Sequence, residues 1–207
     1  MTKRKVHHYF AMLSELSKIL LGSAALINSS LSKFNITEGG KVKATLNDMR
    51  QRGKFQRRNI RSRLYTDFIT PLERDDILSL ADDLCSAIDR LYEAYARICL
   101  FRISKIREEG VALSRLLNDV CFEICSLFTV LHDYKNKNRL LPHIDEIVRL
   151  SSEAGKVCEQ ASANLTAAAP PSLEAALWFQ ILDKFNEGFA ACQIIAKKAD
   201  LVILKNS

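Results

Sequence analysis

The sequence predicts an all-α protein of six long antiparallel helices. Glycine and proline are scarce among the 207 residues, at seven and four, which leaves few of the turn signals that a sheet protein needs. Apolar side chains recur close to the helical period of 3.6 residues in six segments, which the few available breakers separate. Segments of about 25–30 residues suit an elongated helical bundle.

The first three helices are predicted from the apolar pattern of the first half. The first covers about 6–34 and ends before Gly39 and Gly40, which predict a turn. The second covers about 41–67 and stops before Pro71, because proline disfavours helix in the residue that precedes it. The third begins near 72–75, with acidic residues in its first turn, and extends to about Ile106.

The second half repeats this layout. The fourth helix is predicted at about 108–134 and ends in the polar run 135–139. The fifth begins at Pro142, a favoured first-turn residue, and reaches about 167. Pro170 and Pro171 break the chain before the sixth helix, at about 172–204.

The two halves form an internal repeat in this interpretation. The second helix, a proline corner at Pro71 and the third helix are echoed by the fifth helix, a corner at Pro170 and the sixth helix. We therefore predict one helical domain over 1–207, with repeated three-helix halves at about 1–106 and 107–207.

Composition is typical of a globular protein, with 48% hydrophobic and 26% charged residues. The six cysteines stand singly among apolar residues, which predicts free thiols in a reducing compartment. The N-terminal segment is basic and then apolar, but polar residues interrupt it at helical spacing, so we interpret it as an amphipathic helix rather than a signal peptide. These features together predict a cytoplasmic protein.

The segment FITPLERDDILSLADDLCSAID, at 68–89, resembles a recognisable stretch of the PhoU-like family associated with Pit-type phosphate transporters. The matching positions are a Phe-Ile-Thr-Pro corner, an acidic helix start and a following aspartate: Phe68, Ile69, Thr70, Pro71, Arg74, Asp75, Asp76, Ile77 and Asp89. The end of the chain, from Trp178 onward, resembles the last helix of that family. The six-helix layout covers essentially the whole chain.

This resemblance implies a pair of three-helix bundles and a regulatory or accessory role in inorganic phosphate transport. Such a protein would act by contact with a phosphate transporter or another protein partner, in the cytoplasm and near the inner face of the membrane. A homo-oligomer is compatible with it. The resemblance also implies metal sites built from acidic E/D-x-x-x-D motifs, in which carboxylates at i and i+4 share one helix face.

The sequence departs from the family at those metal positions. Arg50 and Lys54 stand where the second helix should carry two acids, and only Asp89 remains in the third. Positions 151 and 155 of the fifth helix are serine and glycine, whereas Asp183 and Glu187 remain in the sixth. We therefore expect no bound cofactor, with weak divalent or iron binding conceivable only at the vestigial candidates Asp89, Asp183 and Glu187.

The second helix instead carries a row of cations at helical spacing. We call this row the basic stripe, and it consists of Arg50, Lys54, Arg57, Arg58 and Arg61. Nine of the residues at 41–66 are basic and one is acidic, so the segment is far more cationic than the chain, whose net charge is +6.

Two explanations of the basic stripe stay open at this stage. In an antiparallel hairpin, Arg50 would face Asp89, Arg57 and Arg58 would approach Asp82 and Asp83, and the neighbouring Arg63 would face Asp76, giving a ladder of ion pairs. Alternatively, the stripe would bind an anion such as phosphate, polyphosphate, a nucleotide, an acidic lipid or an acidic protein surface. No specific nucleic acid is expected, because recognised binding motifs are absent.

No catalytic fingerprint is present in the sequence, neither a nucleophile elbow, a zinc-protease motif, a P-loop nor a dinucleotide-binding loop. We therefore expect a non-enzymatic protein. The two functional classes that remain are a regulator of phosphate transport and an anion- or nucleic-acid-binding helical module that uses the basic face of the second helix.

Overall fold

The fold consists of six α-helices in the computed structural model, which describes residues 2–167 and 172–206, with side chains from His8 onward. The helices are α1 (Thr2–Ser32), α2 (Gly39–Thr66), α3 (Arg74–Leu100), α4 (Glu108–Val130), α5 (Lys137–Thr166) and α6 (Leu173–Lys205), and a short 3-10 turn at Leu131–Asp133 follows α4. Within the described residues there is no β-strand. The all-α, six-helix prediction is confirmed.

The helices are arranged as two three-helix units. In the first unit α2 packs against α1 and α3, and in the second α5 packs against α4 and α6. The units join through α1 against α4 and through α3 against α6. Buried apolar side chains from all six helices form one continuous core. The outer helices α2 and α5 thus lie on either side of four central ones.

Helix α1 is central to this core. Its segment His8–Ser32 is apolar and long enough to cross a membrane by length and composition alone. However, its large apolar side chains, among them Leu13, Leu16, Leu20 and Ile27, are fully buried against the other helices. These side chains are therefore used in packing the bundle.

Helix α2 is attached by far fewer buried residues than α3. It buries Gly39, Leu46, Gly53, Ile60 and Leu64, the first four spaced seven residues apart. Twelve residues of α3 are buried. A seven-residue spacing keeps one narrow seam against the neighbouring helices, which leaves most of the circumference of α2 open to solvent.

Two predicted helix starts were wrong. Gly39 and Gly40 do not form a turn but begin α2. Gly39 packs beside Cys99 of α3: a Cβ at Gly39 would lie 3.4 Å from the sulfur of Cys99, whose thiol donates to the Gly39 carbonyl at 3.5 Å. Helix α5 begins at Lys137, so the polar run forms its first turn and Pro142 lies inside it. Pro142 is exposed, where water can bond the carbonyl that its missing N–H would have paired.

Helix α3 is shorter than predicted. It ends at Leu100 rather than near Ile106, and Arg102 then adopts a left-handed conformation with φ of 49°. The amide of Ile103 donates back to the Ile98 carbonyl at 3.3 Å, which closes the helix end in the way a C-terminal glycine usually does. No glycine or proline marks this end, so the local residues do not indicate where α3 stops.

The described residues leave part of the repeat prediction open. Pro170 and Pro171 lie outside them, so the second proline corner is not described. The correspondence of 1–106 with 107–207 as a sequence repeat stays a prediction. The six cysteines are free thiols, four of them buried and the other two, Cys99 and Cys125, half-buried.

Candidate functional site

The inner side of the basic stripe contacts carboxylates of α3. The Nε of Arg50 lies 2.5 Å from Oδ1 of Asp89, and the Nζ of Lys54 lies 3.7 Å from the same oxygen. The Nε of Arg57 lies 3.3 Å from Oδ1 of Asp82. Three cations of α2 therefore meet two acids of α3.

Close packing of the two helices makes these contacts possible. Gly53 is buried in α2, and a Cβ there would stand 3.1 Å from Cδ1 of Ile88. The thiol of Cys85 donates to the Gly53 carbonyl at 3.3 Å, and burial raises the pKa of Cys85 to about 12. The guanidinium of Arg50 also lies 4.9 Å from the centre of the Tyr92 ring. Arg50 thus forms an ion pair with Asp89 and a cation–π contact with Tyr92.

The outer members of the basic stripe have different surroundings. Arg58 is exposed, and among the described residues no carboxylate lies within 4.0 Å of it. Arg61 is also exposed, and its Nε donates to the hydroxyl of Tyr65 at 3.4 Å. The stripe is therefore divided into a paired inner part and an exposed outer part.

Two of the predicted opposing pairs were wrong. Asp76 is buried and binds Lys205 of α6, with 3.1 Å between Oδ1 and Nζ, rather than Arg63. The cation that lowers the pKa of Asp83 is Lys198 of α6, and not Arg58. Both errors have the same cause, since α6 also packs against α3 and provides cations for these acids.

Asp83 has an incompletely satisfied carboxylate. Its Oδ2 is buried and has no hydrogen-bond partner in the described structure. Burial raises the pKa of Asp83 and the neighbouring charge of Asp82 raises it further, whereas Lys198 lowers it. Burial dominates, because an ionised carboxylate loses hydration that its neighbours only partly replace.

In the second unit, Glu187 is also bound by two cations. Its Oε2 lies 3.0 Å from Nη1 of Arg90 in α3, and its Oε1 lies 2.6 Å from Nζ of Lys184. Arg90 further contacts Glu93 at 3.0 Å. These four side chains form an ion-pair network across the α3–α6 junction between the units.

Asp183 has an open environment. It is exposed and lines a cleft of about 450 Å³ between α5 and α6. Gly155 and Cys158 of α5 also line this cleft. A Cβ at Gly155 would meet nothing within 4 Å, so the two helices are less tightly closed here than α2 and α3 are at Gly53.

The structure does not gather Asp89, Asp183 and Glu187 into one metal-binding group. Among the residues it describes, no three or more histidine, cysteine or acidic side chains converge as a metal-binding group. Asp89 and Glu187 each contact two cations, and Asp183 faces the cleft.

Sequence reasoning missed Arg90 and Lys184 as partners of Glu187. The spacing of Lys184 and Glu187, three residues apart on one helix, was a usable signal. The contact between Arg90 and Glu187 could be found only from the packing of α3 on α6.

Comparison with known proteins places the fold. No protein-family model matches the chain. The UPF0111 protein YkaA of Bacillus subtilis is 23% identical over 210 residues, which cover the whole of both chains. The crystal structure of a PhoU-like protein from Shewanella oneidensis superposes with a TM-score of 0.82 at 13% identity, covering 95% of this chain and 99% of that one.

A second Shewanella oneidensis structure, of a protein described as a PhoU-like phosphate regulatory protein, gives a TM-score of 0.79 at 13% identity over the same shares of the two chains. The chain therefore has a PhoU-like fold over nearly its full length. This confirms, for the fold, the resemblance drawn from the corner at Phe68–Pro71.

Proposed function

We propose that this protein is a non-enzymatic regulatory or accessory protein of inorganic phosphate transport that acts by protein contact. The observation that carries the proposal is the PhoU-like fold over 95% of the chain, together with a fold neighbour described as a phosphate regulatory protein. Fold alone does not determine function, so the proposal also draws on the ion pairs described above. Its proposed location is the cytoplasm, at or near the inner face of the membrane.

The side chains present do not fit the multinuclear metal cluster that the resemblance implies. Two ligand positions hold Arg50 and Lys54, and both cations contact the remaining Asp89. Glu187 is likewise neutralised by Arg90 and Lys184. A metal cluster would have to displace these cations and would find too few carboxylates. We propose that ion pairs take the place of metal in holding the helices together, and that the protein functions without a resident cofactor.

Elemental analysis of the purified protein tests the metal-free part of this proposal. We expect iron and zinc well below one atom per chain after purification without chelators. Stoichiometric iron or zinc that survives dialysis would contradict it. Loss of that metal from an Asp183→Asn variant, with retention in Asp89→Asn, would place it in the α5–α6 cleft.

Phosphate uptake in the native host tests the regulatory role. We expect deletion of the gene to change the rate of radiolabelled phosphate uptake, and re-expression of the chain to restore it. Affinity capture of the tagged protein from solubilised membranes should recover a phosphate transporter as the partner. Unchanged uptake at both low and high external phosphate, with no transporter captured, would contradict the proposal.

The second candidate is an anion-binding module, and the exposed part of α2 favours it. Arg58 and Arg61 are exposed, and among the described residues neither has a carboxylate within 4.0 Å. Phosphate or polyphosphate should then raise the melting temperature, and Arg58→Glu should abolish the increase. Retention on heparin should persist above 100 mM salt, where the Debye length is about 10 Å. A melting temperature indifferent to both anions would exclude this candidate.

A further inference from the structure

The outward face of α2 combines exposed aromatic rings with exposed arginines. Phe55 and Tyr65 are 64% and 75% exposed, although both are large and partly apolar. Arg52 and Arg58 lie three residues on either side of Phe55, within one helical turn of it. Both arginines are exposed. Most of this face is open to solvent, although Arg52 and Phe55 also line a cleft of about 400 Å³ with Glu15 and Ile19 of α1.

The apolar surface continues onto the corner between α2 and α3. Phe68 is 97% exposed and Ile69 is 64% exposed. Leaving two adjacent large apolar side chains in water at a turn has a free-energy cost that burial would remove. We call the outward face of α2 and this corner together the α2 corner surface, formed by Arg52, Phe55, Arg58, Arg61, Arg63, Tyr65, Phe68 and Ile69.

All charged side chains of the α2 corner surface are basic. Residues 49–66 contain seven basic side chains and no acidic one. Acids of α3 contact three of them, Arg50, Lys54 and Arg57. The other four are exposed arginines of this surface.

The acids close to the corner are partly engaged elsewhere. Asp67 accepts from the Tyr9 hydroxyl at 3.0 Å, and Glu73 lies 3.5 Å from Nζ of Lys205. Asp75 is exposed in the first turn of α3.

We propose that the α2 corner surface docks onto an anionic lipid bilayer. Arginines attract anionic headgroups, while aromatic rings are favoured at the boundary between headgroups and acyl chains. Phe68 and Ile69 would enter that boundary, and the arginines would remain at headgroup level. The proposal does not depend on a role in phosphate transport.

Two features favour a bilayer over other acidic partners. Phe68 and Ile69 stand at an exposed corner, so a helix or peptide would find few walls to pack against there. Ile69 is aliphatic and cannot stack on nucleic-acid bases, which rely on aromatic side chains. A fluid bilayer needs neither a groove nor stacking.

Vesicle flotation with the full-length protein tests the proposal. We expect binding to vesicles that contain about one third phosphatidylglycerol, little binding to phosphatidylcholine alone, and weakening of binding as salt increases. Phe68→Ala/Ile69→Ala and Arg52→Glu/Arg58→Glu should each reduce the binding by about tenfold or more. The altered side chains are all exposed, and circular dichroism will verify that both variants fold.

Two matched controls lie on other helices. Phe122→Ala removes a ring of α4 that is 56% exposed, and Lys156→Glu reverses an exposed charge of α5. Both should bind vesicles within about twofold of the unaltered protein. A Phe68→Trp variant should shift its emission to shorter wavelength with anionic vesicles, and Phe122→Trp should not.

Each of the following outcomes would overturn the proposal. Absence of vesicle binding, or equal binding to both lipid compositions, excludes an anionic bilayer. Binding that needs the arginines but neither Phe68 nor Ile69 excludes insertion of the corner. Binding to heparin or to an acidic protein without vesicle binding assigns the surface to a soluble polyanion instead.

Discussion

The α2–α3 and α5–α6 hairpins hold their helices together in different ways. Between α2 and α3, cations occupy two expected ligand positions and contact Asp89, with Gly53 bringing the helices close. Between α5 and α6, serine and glycine occupy the expected positions, and a cleft of about 450 Å³ remains beside Asp183.

The contrast shows two ways in which Asp89 and Glu187 are neutralised by cations. In the first hairpin, opposite charges neutralise the remaining acid. In the second, the residues on the facing helix α5 are small, and Glu187 forms an ion pair with Arg90 of the other unit. The ion pairs of Asp89 connect the two helices of one hairpin, whereas the ion pair of Glu187 with Arg90 connects the two units.

Reversing the charge of Arg50 should have the largest effect. Arg50→Glu would place a carboxylate against Asp89, both half-buried, and remove the contact with the Tyr92 ring. We expect a loss of about 2 kcal/mol in the free energy of unfolding, between the values for surface and buried pairs. The melting temperature should fall by about 4–8 °C.

Two variants sharpen this test. Arg52→Glu reverses an exposed charge of the same helix and should change the free energy of unfolding by no more than about 0.5 kcal/mol. Adding Asp89→Arg to Arg50→Glu should recover part of the lost stability by restoring opposite charges. An unchanged melting temperature for Arg50→Glu would show that the first hairpin does not rely on this pair.

Removing Arg90 should have a smaller effect and act between the units. Arg90→Ala deletes the contacts with Glu93 and Glu187, but Lys184 stays near both acids. The free energy of unfolding should fall by about 1 kcal/mol, because these side chains are partly exposed. A double-mutant cycle with Glu187→Ala in denaturant unfolding should give a coupling of about 0.5–1 kcal/mol. A coupling of zero would mean that the junction does not need this pair.

Alanine at the two hairpin glycines compares the packing directly. Gly155→Ala should stabilise the protein by about 0.5–1 kcal/mol, since alanine favours helix and its Cβ meets nothing within 4 Å. Gly53→Ala should gain less or lose stability, because Ile88 has to move away from a Cβ only 3.1 Å distant. Thermal unfolding of both variants measures the difference. Equal gains would show that the first hairpin is no tighter than the second.

Substitution of Asp83 should have the smallest effect on the free energy of unfolding, and this effect should depend on pH. Burial raises its pKa in the folded protein, so its stabilising contribution is complete below the unfolded pKa, near 3.8, and is lost as the pH rises through the folded value. Asp83→Asn should therefore be more stable than the unaltered protein at pH 7. The gain should be at most about 0.5 kcal/mol, because solvent screens this half-exposed group.

Melting temperatures measured from pH 3.5 to 7 provide the check. The advantage of Asp83→Asn should shrink as the pH falls, whereas Asp48→Asn, at an exposed acid of α2, should show no such trend. An advantage that grows toward acidic pH would contradict the assigned direction of the pKa.

Helix number and order could be predicted because apolar periodicity is a local property of the sequence. The ends of the helices were harder to predict, because they depend on tertiary contacts that cannot be seen in the sequence. The sequence suggested a turn at Gly39, but Gly39 begins α2 and accepts a hydrogen bond from the Cys99 thiol of α3. Arg102 ends α3 in a conformation that usually calls for glycine.

The same distinction applies to the candidate site. Antiparallel geometry within one hairpin correctly suggested the opposition of Arg50 to Asp89. It failed for Asp76, because Lys205 reaches that acid from α6. Contacts within a hairpin follow from sequence separation, whereas contacts between the units require the packing of α3 on α6.

The sparse attachment of α2 has a consequence for motion. With five buried residues against the twelve of α3, α2 has the weaker hold on the core. Local opening takes place where few apolar contacts must be given up. We therefore expect amide hydrogens of α2 to exchange with solvent faster than those of α3, through partial openings that leave the central helices folded. The basic helix can then separate briefly from a bundle that keeps its shape.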